Sequence, residues 1–192
     1  MYPLTRLQGI LFNPAQEWES IRDEKITNLQ IFLKYVIWVA ALPAIGYLIG
    51  VAKYESYLIN VRAAIVSYVI GLVSVDLAAY LIHLLAPKFE AQKDVGRALK
   101  LVAFGATPVF VAGALNFIPV VGNFLWLIGA AYCAFLFYAG LPLLLATPLY
   151  KLVPFLLVSF VIFVGIYLLL LLVGGFVFDV PFIKIFTAAN LL

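Results

Sequence analysis

Three side chains within one apolar stretch could bind a cation or pass a proton. Asp76, Tyr80 and His83 follow one another at positions i, i+4 and i+7, so a helix places them on one face. An ionised aspartate in the middle of a bilayer costs about 2.5–3.5 kcal/mol, and we therefore expect Asp76 to face the interior of a helix bundle. Asp76 and His83 would lie about 10 Å apart along the helix axis, so Tyr80 or a water molecule would have to bridge them.

Two roles remain open for this helix face. In the first, Asp76, Tyr80 and His83 form an ion-binding or substrate-binding site, or a proton relay, in a small transporter or channel. In the second, Asp76 is satisfied by tyrosine hydroxyls or by Asn116 on a neighbouring helix, and the contact fixes how the helices pack. The sequence alone leaves both roles open.

Few residues in the chain could support catalysis or hold a metal. The sequence has one histidine and one cysteine, Cys133, so no intrachain disulfide and no Cys/His metal cluster can form. It contains no G-x-S-x-G elbow, no H-E-x-x-H pair and no phosphate-binding glycine loop. We therefore expect no catalytic residues, no cofactor, no bound metal and no nucleic-acid partner.

The elements that must position these residues are five long apolar stretches. Each is at least 20 residues long, and about 20 helical residues cross the roughly 30 Å hydrocarbon core of a bilayer. The stretches are continuous rather than alternating, which favours helices over a barrel. Hydrophobic residues make up 66% of the chain and charged residues 11%. The sequence predicts an all-α membrane protein, a five-helix bundle with spans at residues 31–52, 62–86, 99–118, 121–147 and 153–178.

Residues 1–30 form a separate N-terminal segment that precedes the membrane domain of residues 31–192. Residues 1–12 have apolar side chains at helical spacing and predict a short amphipathic helix in the membrane interface. Asn13 and Pro14 end it and start a second short helix, with Trp18 and Ile21 on its apolar side. The segment could anchor the protein on the membrane surface or serve as a partner-binding arm.

The basic residues predict the orientation of the bundle. Nine of the twelve lysines and arginines lie in segments that share one side of the membrane, and three lie on the other. No cleavable signal peptide is recognisable in the first 30 residues. We expect a protein of the cell membrane, plasma or inner, with its N-terminus in the cytoplasm and its C-terminus outside.

Small residues and prolines inside the stretches predict close helix packing. Gly46 and Gly50 form a G-x-x-x-G pair, and Gly105, Pro108 and Gly113 follow in the third stretch. Small residues four apart let helices approach closely in lipid, either within one bundle or between copies in a homo-oligomer. Proline kinks the helix or frees backbone carbonyls to line a cavity.

Several runs of the sequence resemble the Yip1 domain, and most closely the short prokaryotic Yip1-like membrane proteins. The similarity lies in the opening residues 11–18 with Ile21 and Arg22, the run 100–108, residues 112–119, and residues 138–142. The order and spacing of these runs cover nearly the whole chain.

The resemblance implies a multi-pass protein with five spans that associates with itself or with another membrane protein. Eukaryotic members of the family act in vesicle traffic and contact Rab-type GTPases through a longer cytosolic N-terminal region. Only about 30 residues precede the first stretch here, so the resemblance gives little support for GTPase binding. We expect a non-catalytic scaffold or trafficking-like protein embedded in the lipid bilayer, with the small transporter or channel as the alternative.

Overall fold

The chain folds into a bundle of helices. A computed structural model of the protein describes residues 3–51, 57–115 and 117–178, and all its regular elements are helical. A π-helical turn at Phe32–Val36 joins α3 to α4, and a 3₁₀ turn at Ala86–Phe89 ends α5. The prediction of an all-α fold is confirmed. The α-helices are α1 (Pro3–Phe12), α2 (Pro14–Asp23), α3 (Asn28–Ile31), α4 (Ile37–Val51), α5 (Tyr57–Leu85), α6 (Val95–Gly105), α7 (Thr107–Gly113), α8 (Pro119–Leu145) and α9 (Leu149–Val177).

Five helical stretches of the described residues are long and apolar enough to cross a membrane, as predicted. Consecutive spans run in opposite directions, and a bond of 2.7 Å from the Gln92 amide to the Leu145 carbonyl ties the end of span two to the end of span four. We call this end, where spans one, three and five begin, the N-terminal end of the bundle. Spans one to five are Asn28–Ile49, Val61–Phe89, Val95–Gly113, Phe124–Leu145 and Leu149–Val177.

Side-chain caps explain why two spans begin earlier than predicted. The Thr27 hydroxyl accepts a hydrogen bond from the Gln30 amide, and the Gln30 side chain accepts one from the Thr27 amide. At the start of span three, the Asp94 carboxylate accepts a hydrogen bond of 2.9 Å from the Arg97 amide. Such caps satisfy amide groups that the first helical turn leaves unpaired, so each helix starts in the polar residues before its apolar run.

Span three is broken into two helices at Ala106. Pro108 lies in the first turn of α7, where its missing amide donor costs nothing. The buried Thr107 hydroxyl donates to the Phe104 carbonyl at 2.7 Å and lies 2.6 Å from the Tyr35 hydroxyl, which therefore donates to it. The predicted proline interruption thus separates two helices inside the bundle, where span one supplies a polar partner.

The N-terminal segment packs against the bundle. Trp18 and Ile21 of α2 are fully buried, and α2 packs on α8. The Tyr132 hydroxyl of α8 donates a hydrogen bond of 2.8 Å to the Leu11 carbonyl, and the Trp18 ring lies close against Gly140. The bundle therefore covers the apolar side that the sequence assigned to a surface anchor or a partner-binding arm.

Three of the glycines that the sequence marked for helix packing lie at very close contacts. A Cβ atom added to Gly46 would lie 2.6 Å from the Gly113 carbonyl oxygen, and one added to Gly113 would lie 2.7 Å from the Pro43 ring. A Cβ atom on Gly105 would lie 3.0 Å from the Phe137 ring. Gly46 therefore brings α4 against α7 within one chain. Gly50 lies in α4, but its surroundings are outside the described part of the chain.

Replacing Gly46 with alanine should destabilise the bundle, because the new methyl group meets backbone atoms that cannot move aside cheaply. Overpacking of this kind costs about 1–3 kcal/mol, more than the gain of up to about 1 kcal/mol from the better helix propensity of alanine. Thermal unfolding in detergent, followed by circular dichroism, measures the change. The matched control is Gly165→Ala, where nothing lies within 4 Å of the added Cβ atom. A melting temperature that is unchanged or higher for Gly46→Ala would contradict the close packing of α4 on α7.

Candidate functional site

Asp76 lies on the outside of the bundle, in a groove between three segments of the chain. The groove has a volume of about 370 Å³. We call it the lateral groove, and it is lined by Asn28, Leu29, Phe32, Asp76, Ala79, Val95 and Leu99. Asp76 is exposed, so the expectation that it faces the bundle interior is wrong.

The orientation of α5 follows from the side chains next to Asp76. Val75 and Ala79 are buried against the core, which turns Asp76 and Tyr80 outward. The exposed side chains of Ile65, Val69, Val73 and Leu77 recur every four residues and form an apolar stripe that passes Asp76 on the same side of α5. The carboxylate therefore interrupts an otherwise apolar, lipid-facing surface.

The predicted relay of Asp76, Tyr80 and His83 is not connected in the described residues. No hydrogen bond or ion pair from Asp76 to another described residue is present. Tyr80 is exposed and His83 half-buried, with their ring centroids 6.3 Å apart. The Nδ1 atom of His83 is buried without a hydrogen-bond partner in the described part of the chain. Asn116, the other predicted partner, lies outside the described residues, so a role in ion or proton binding stays a prediction.

The lateral groove reaches the membrane boundary. Asp76 lies near the middle of span two in sequence, yet the groove joins it to Asn28 and Val95, the first residues of spans one and three. Residues at the beginning of a span lie close to the lipid headgroups. The groove therefore gives the Asp76 carboxylate a route to the polar layer at the N-terminal end of the bundle.

A second group of charged residues holds the N-terminal segment to the bundle. Arg6 of α1 is only 5% exposed. Its guanidinium pairs with Glu17, donates to the Ser20 hydroxyl at 3.0 Å and donates to Glu24 at 2.7 Å. Lys100 of α6 is 7% exposed and donates to the backbone carbonyls of Ile21 and Glu24, both at 2.7 Å. We call Arg6, Glu17, Ser20, Glu24 and Lys100 the N-terminal polar cluster.

The two buried cations of this cluster are compensated in different ways. Arg6 faces two carboxylates, and such pairing is required because a buried charge without a partner is strongly destabilising. Lys100 meets carbonyls at the end of α2, where the helix dipole favours a positive charge. The cluster therefore ties α1, α2 and span three together.

The sequence pattern did not reveal this cluster. Arg6 and Lys100 entered only the count of basic residues that predicts the orientation. The sequence did contain a signal, because Lys100 lies inside an apolar run that extends from Ala98 to Val102. A lysine in that position needs carbonyl or carboxylate partners.

Neither group of residues brings together the ligands of a metal site. In the ranges that the structure describes, no three or more His, Cys, Asp or Glu side chains come together to hold a metal ion. Cys133 is buried and unpaired. The arrangement is suited to binding and to holding segments together.

Replacing Lys100 with methionine should loosen the N-terminal segment. Methionine fills similar space but leaves the carbonyls of Ile21 and Glu24 without a donor, which costs about 1–3 kcal/mol. Hydrogen exchange should become faster in α2, and the melting temperature in detergent should fall. Lys93→Met, at an exposed loop position, is the control and should change neither. Unaltered exchange in α2 of the Lys100 variant would show that the cluster does not hold the segment.

The N-terminal segment and the five spans together correspond to a known family. The family model of the Yip1 domain matches residues 9–178. No curated protein and no solved structure matches the chain significantly. Because the match extends from α1 to the end of α9, it covers nearly the whole chain, and the chain belongs to the Yip1 domain family, as its sequence motifs indicated.

Proposed function

We propose that this Yip1-family multi-pass membrane protein is a non-catalytic membrane-organising protein, or scaffold, that acts through lateral contacts with other components of the bilayer. The observation that carries the proposal is the direction in which its intramembrane charge points. The lateral groove opens beside the bundle, toward the surrounding bilayer, and contains the exposed Asp76. A carboxylate placed there interacts with whatever lies next to the protein in the membrane.

The packing of the bundle also supports a scaffold rather than a transporter. Large side chains from different spans fill the interior, including Leu101, Phe137, Leu141 and Phe155, all of which are fully buried. A transport path must be lined by polar or ionisable groups that reach from one membrane surface to the other. Asp76, Tyr80 and His83 lie on one outer side of α5 instead of around a central cavity.

Extraction from native membranes into polymer-bounded discs, without detergent, tests the scaffold proposal. We expect particles that contain more than one copy of the chain, or one copy with another membrane protein, in a fixed ratio. Mass photometry measures the particle mass, and quantitative mass spectrometry gives the ratio. Recovery of a lone monomer would contradict the proposal.

Liposome flux separates the scaffold from the transporter. Purified protein reconstituted into liposomes should give no proton or cation flux above that of protein-free liposomes. Asp76→Asn, which keeps the size of the side chain and removes its ionisable group, should likewise give no flux. A flux that depends on pH or on a cation gradient, and that disappears in the Asn variant, would establish the transporter instead.

We further infer that the N-terminal end of the bundle faces the cytoplasm, from the nine-to-three distribution of basic residues. A cysteine introduced at Lys93, which is exposed in the loop before α6, should not be labelled from outside in intact cells and should be labelled once the cytoplasmic side is accessible. A cysteine at the exposed Val121, at the opposite end of the bundle, should be labelled only from outside. The buried native Cys133 should not react in either case. The reverse labelling pattern would overturn the orientation.

A further inference from the structure

We propose that the lateral groove is a binding site for a phospholipid whose headgroup carries a primary ammonium group, as in phosphatidylethanolamine, and that Asp76 receives the ammonium. The inference deepens the proposed function, because it names one bilayer component that the scaffold contacts.

The charge of the Asp76 carboxylate favours a cationic ligand. Asp76 is exposed in the groove and has no ion pair with another residue in the described ranges, where the ion pairs involve Arg6, Arg22 and Arg97 instead. An ionised carboxylate only accepts hydrogen bonds, and an ammonium group only donates them. Bonds between two such charged groups are shorter and stronger than neutral ones. The groove therefore complements a cation with N–H donors.

The groups in the groove are unsuited to other cations. Ca²⁺ takes six to eight oxygen ligands, and Mg²⁺ takes six. Among the described residues the groove offers one carboxylate, Asp76, and the side-chain amide of Asn28. A quaternary ammonium, as in phosphatidylcholine, is recognised by cages of several aromatic rings. Phe32 is the one aromatic ring in the lining of the groove. A primary ammonium suits this set of groups better than a metal ion or a choline headgroup.

The groove also has a suitable position along the bilayer normal. Its opening at Asn28 and Val95 lies where spans one and three begin, at the depth of the headgroups. Its walls at Leu29, Phe32 and Leu99 are apolar. From Asp76 toward the N-terminus of α5, the apolar stripe continues to Ile65 over about 16 Å. Half the hydrocarbon core is about 15 Å thick, so an acyl chain can lie along this stripe while its headgroup enters the groove.

The surroundings of the groove favour a lipid over a lysine of a partner protein. The groove lies beside the exposed apolar stripe of α5, which a lipid can cover with an acyl chain while its headgroup meets Asp76. A single lysine side chain would leave that stripe without a contact. Three segments of this chain already form the walls of the groove.

Native mass spectrometry of the purified wild-type protein in detergent gives the first test. The probes are phosphatidylethanolamine, its N-monomethyl and N,N-dimethyl derivatives, phosphatidylcholine and phosphatidylglycerol, all with the same acyl chains. Retention of bound lipid should fall with each added methyl group, since each removes an N–H donor. Phosphatidylglycerol should be retained least, because its charge has the same sign as Asp76. Equal retention of all five lipids would overturn the proposal without any mutation.

Matched variants locate the site. Asp76→Asn should reduce the retention of phosphatidylethanolamine about tenfold or more, because a charged hydrogen bond is lost. Glu19→Gln removes an exposed carboxylate outside the groove and should have no effect. Leu29→Trp should block the groove, and Leu33→Trp, at another exposed leucine of span one, should not. Unchanged retention in both groove variants would overturn the proposal.

Cross-linking in native membranes separates the lipid from a protein partner. A carbodiimide that joins carboxylates to amines should link Asp76 to the headgroup amine as an amide, with loss of one water to the carbodiimide. The link is seen as the mass of one lipid less one water on the tryptic peptide that contains Asp76. A link from Asp76 to a protein lysine would overturn the lipid assignment. If the extracted particles still hold several copies or a partner protein but the lipid does not bind, only this inference is refuted. If the protein is extracted as a lone monomer that still retains the lipid, only the scaffold proposal is refuted.

Discussion

The bilayer supplies no hydrogen-bond partners, so the protein must satisfy the polar groups within its own spans. The hydroxyls of Ser67 and Ser74 donate to carbonyls of the preceding turn of α5, at 3.0 Å each. The break in span three is satisfied by Thr107 and Tyr35. Asp76 differs from these groups, because it lies at the lipid-facing side and its charge is left for a component outside the described chain.

The start of span one determines the shape of the groove. The capping box of Thr27 and Gln30 fixes where α3 begins and so places Asn28 and Leu29 at the groove. Asn28 also lies directly against α6, since a Cβ atom on Gly96 would be 2.9 Å from its side-chain oxygen. The N-terminal polar cluster holds α6 from the other side through Lys100. Both sites therefore contain residues of α6, although no residue belongs to both.

Five spans, their order and the short α2 could be predicted from the sequence, because length and hydropathy alone decide whether a helix crosses a bilayer. The side on which Asp76 lies could not be predicted. Residues all around α5 are apolar, so its sequence does not show which side meets lipid and which meets the core. The prediction that Asp76 faces the bundle interior did not take into account that spans one and three begin beside it. The partners of Lys100 were equally hidden, because they are backbone carbonyls from residues 76 and 79 positions away in the chain.

Lys100 in span three and Asp76 in span two show how the position of a charge determines its role. Lys100 is enclosed, and its donors are taken up by carbonyls of the same chain, so its charge contributes to folding. Asp76 lies near the middle of span two, on an open surface, where no described residue of the chain neutralises it. A charge that contributes nothing to internal packing, and that costs free energy in lipid, is stabilised only by what binds next to it. In the proposed function, recognition therefore takes place at the lipid-facing surface of the bundle and not in its interior.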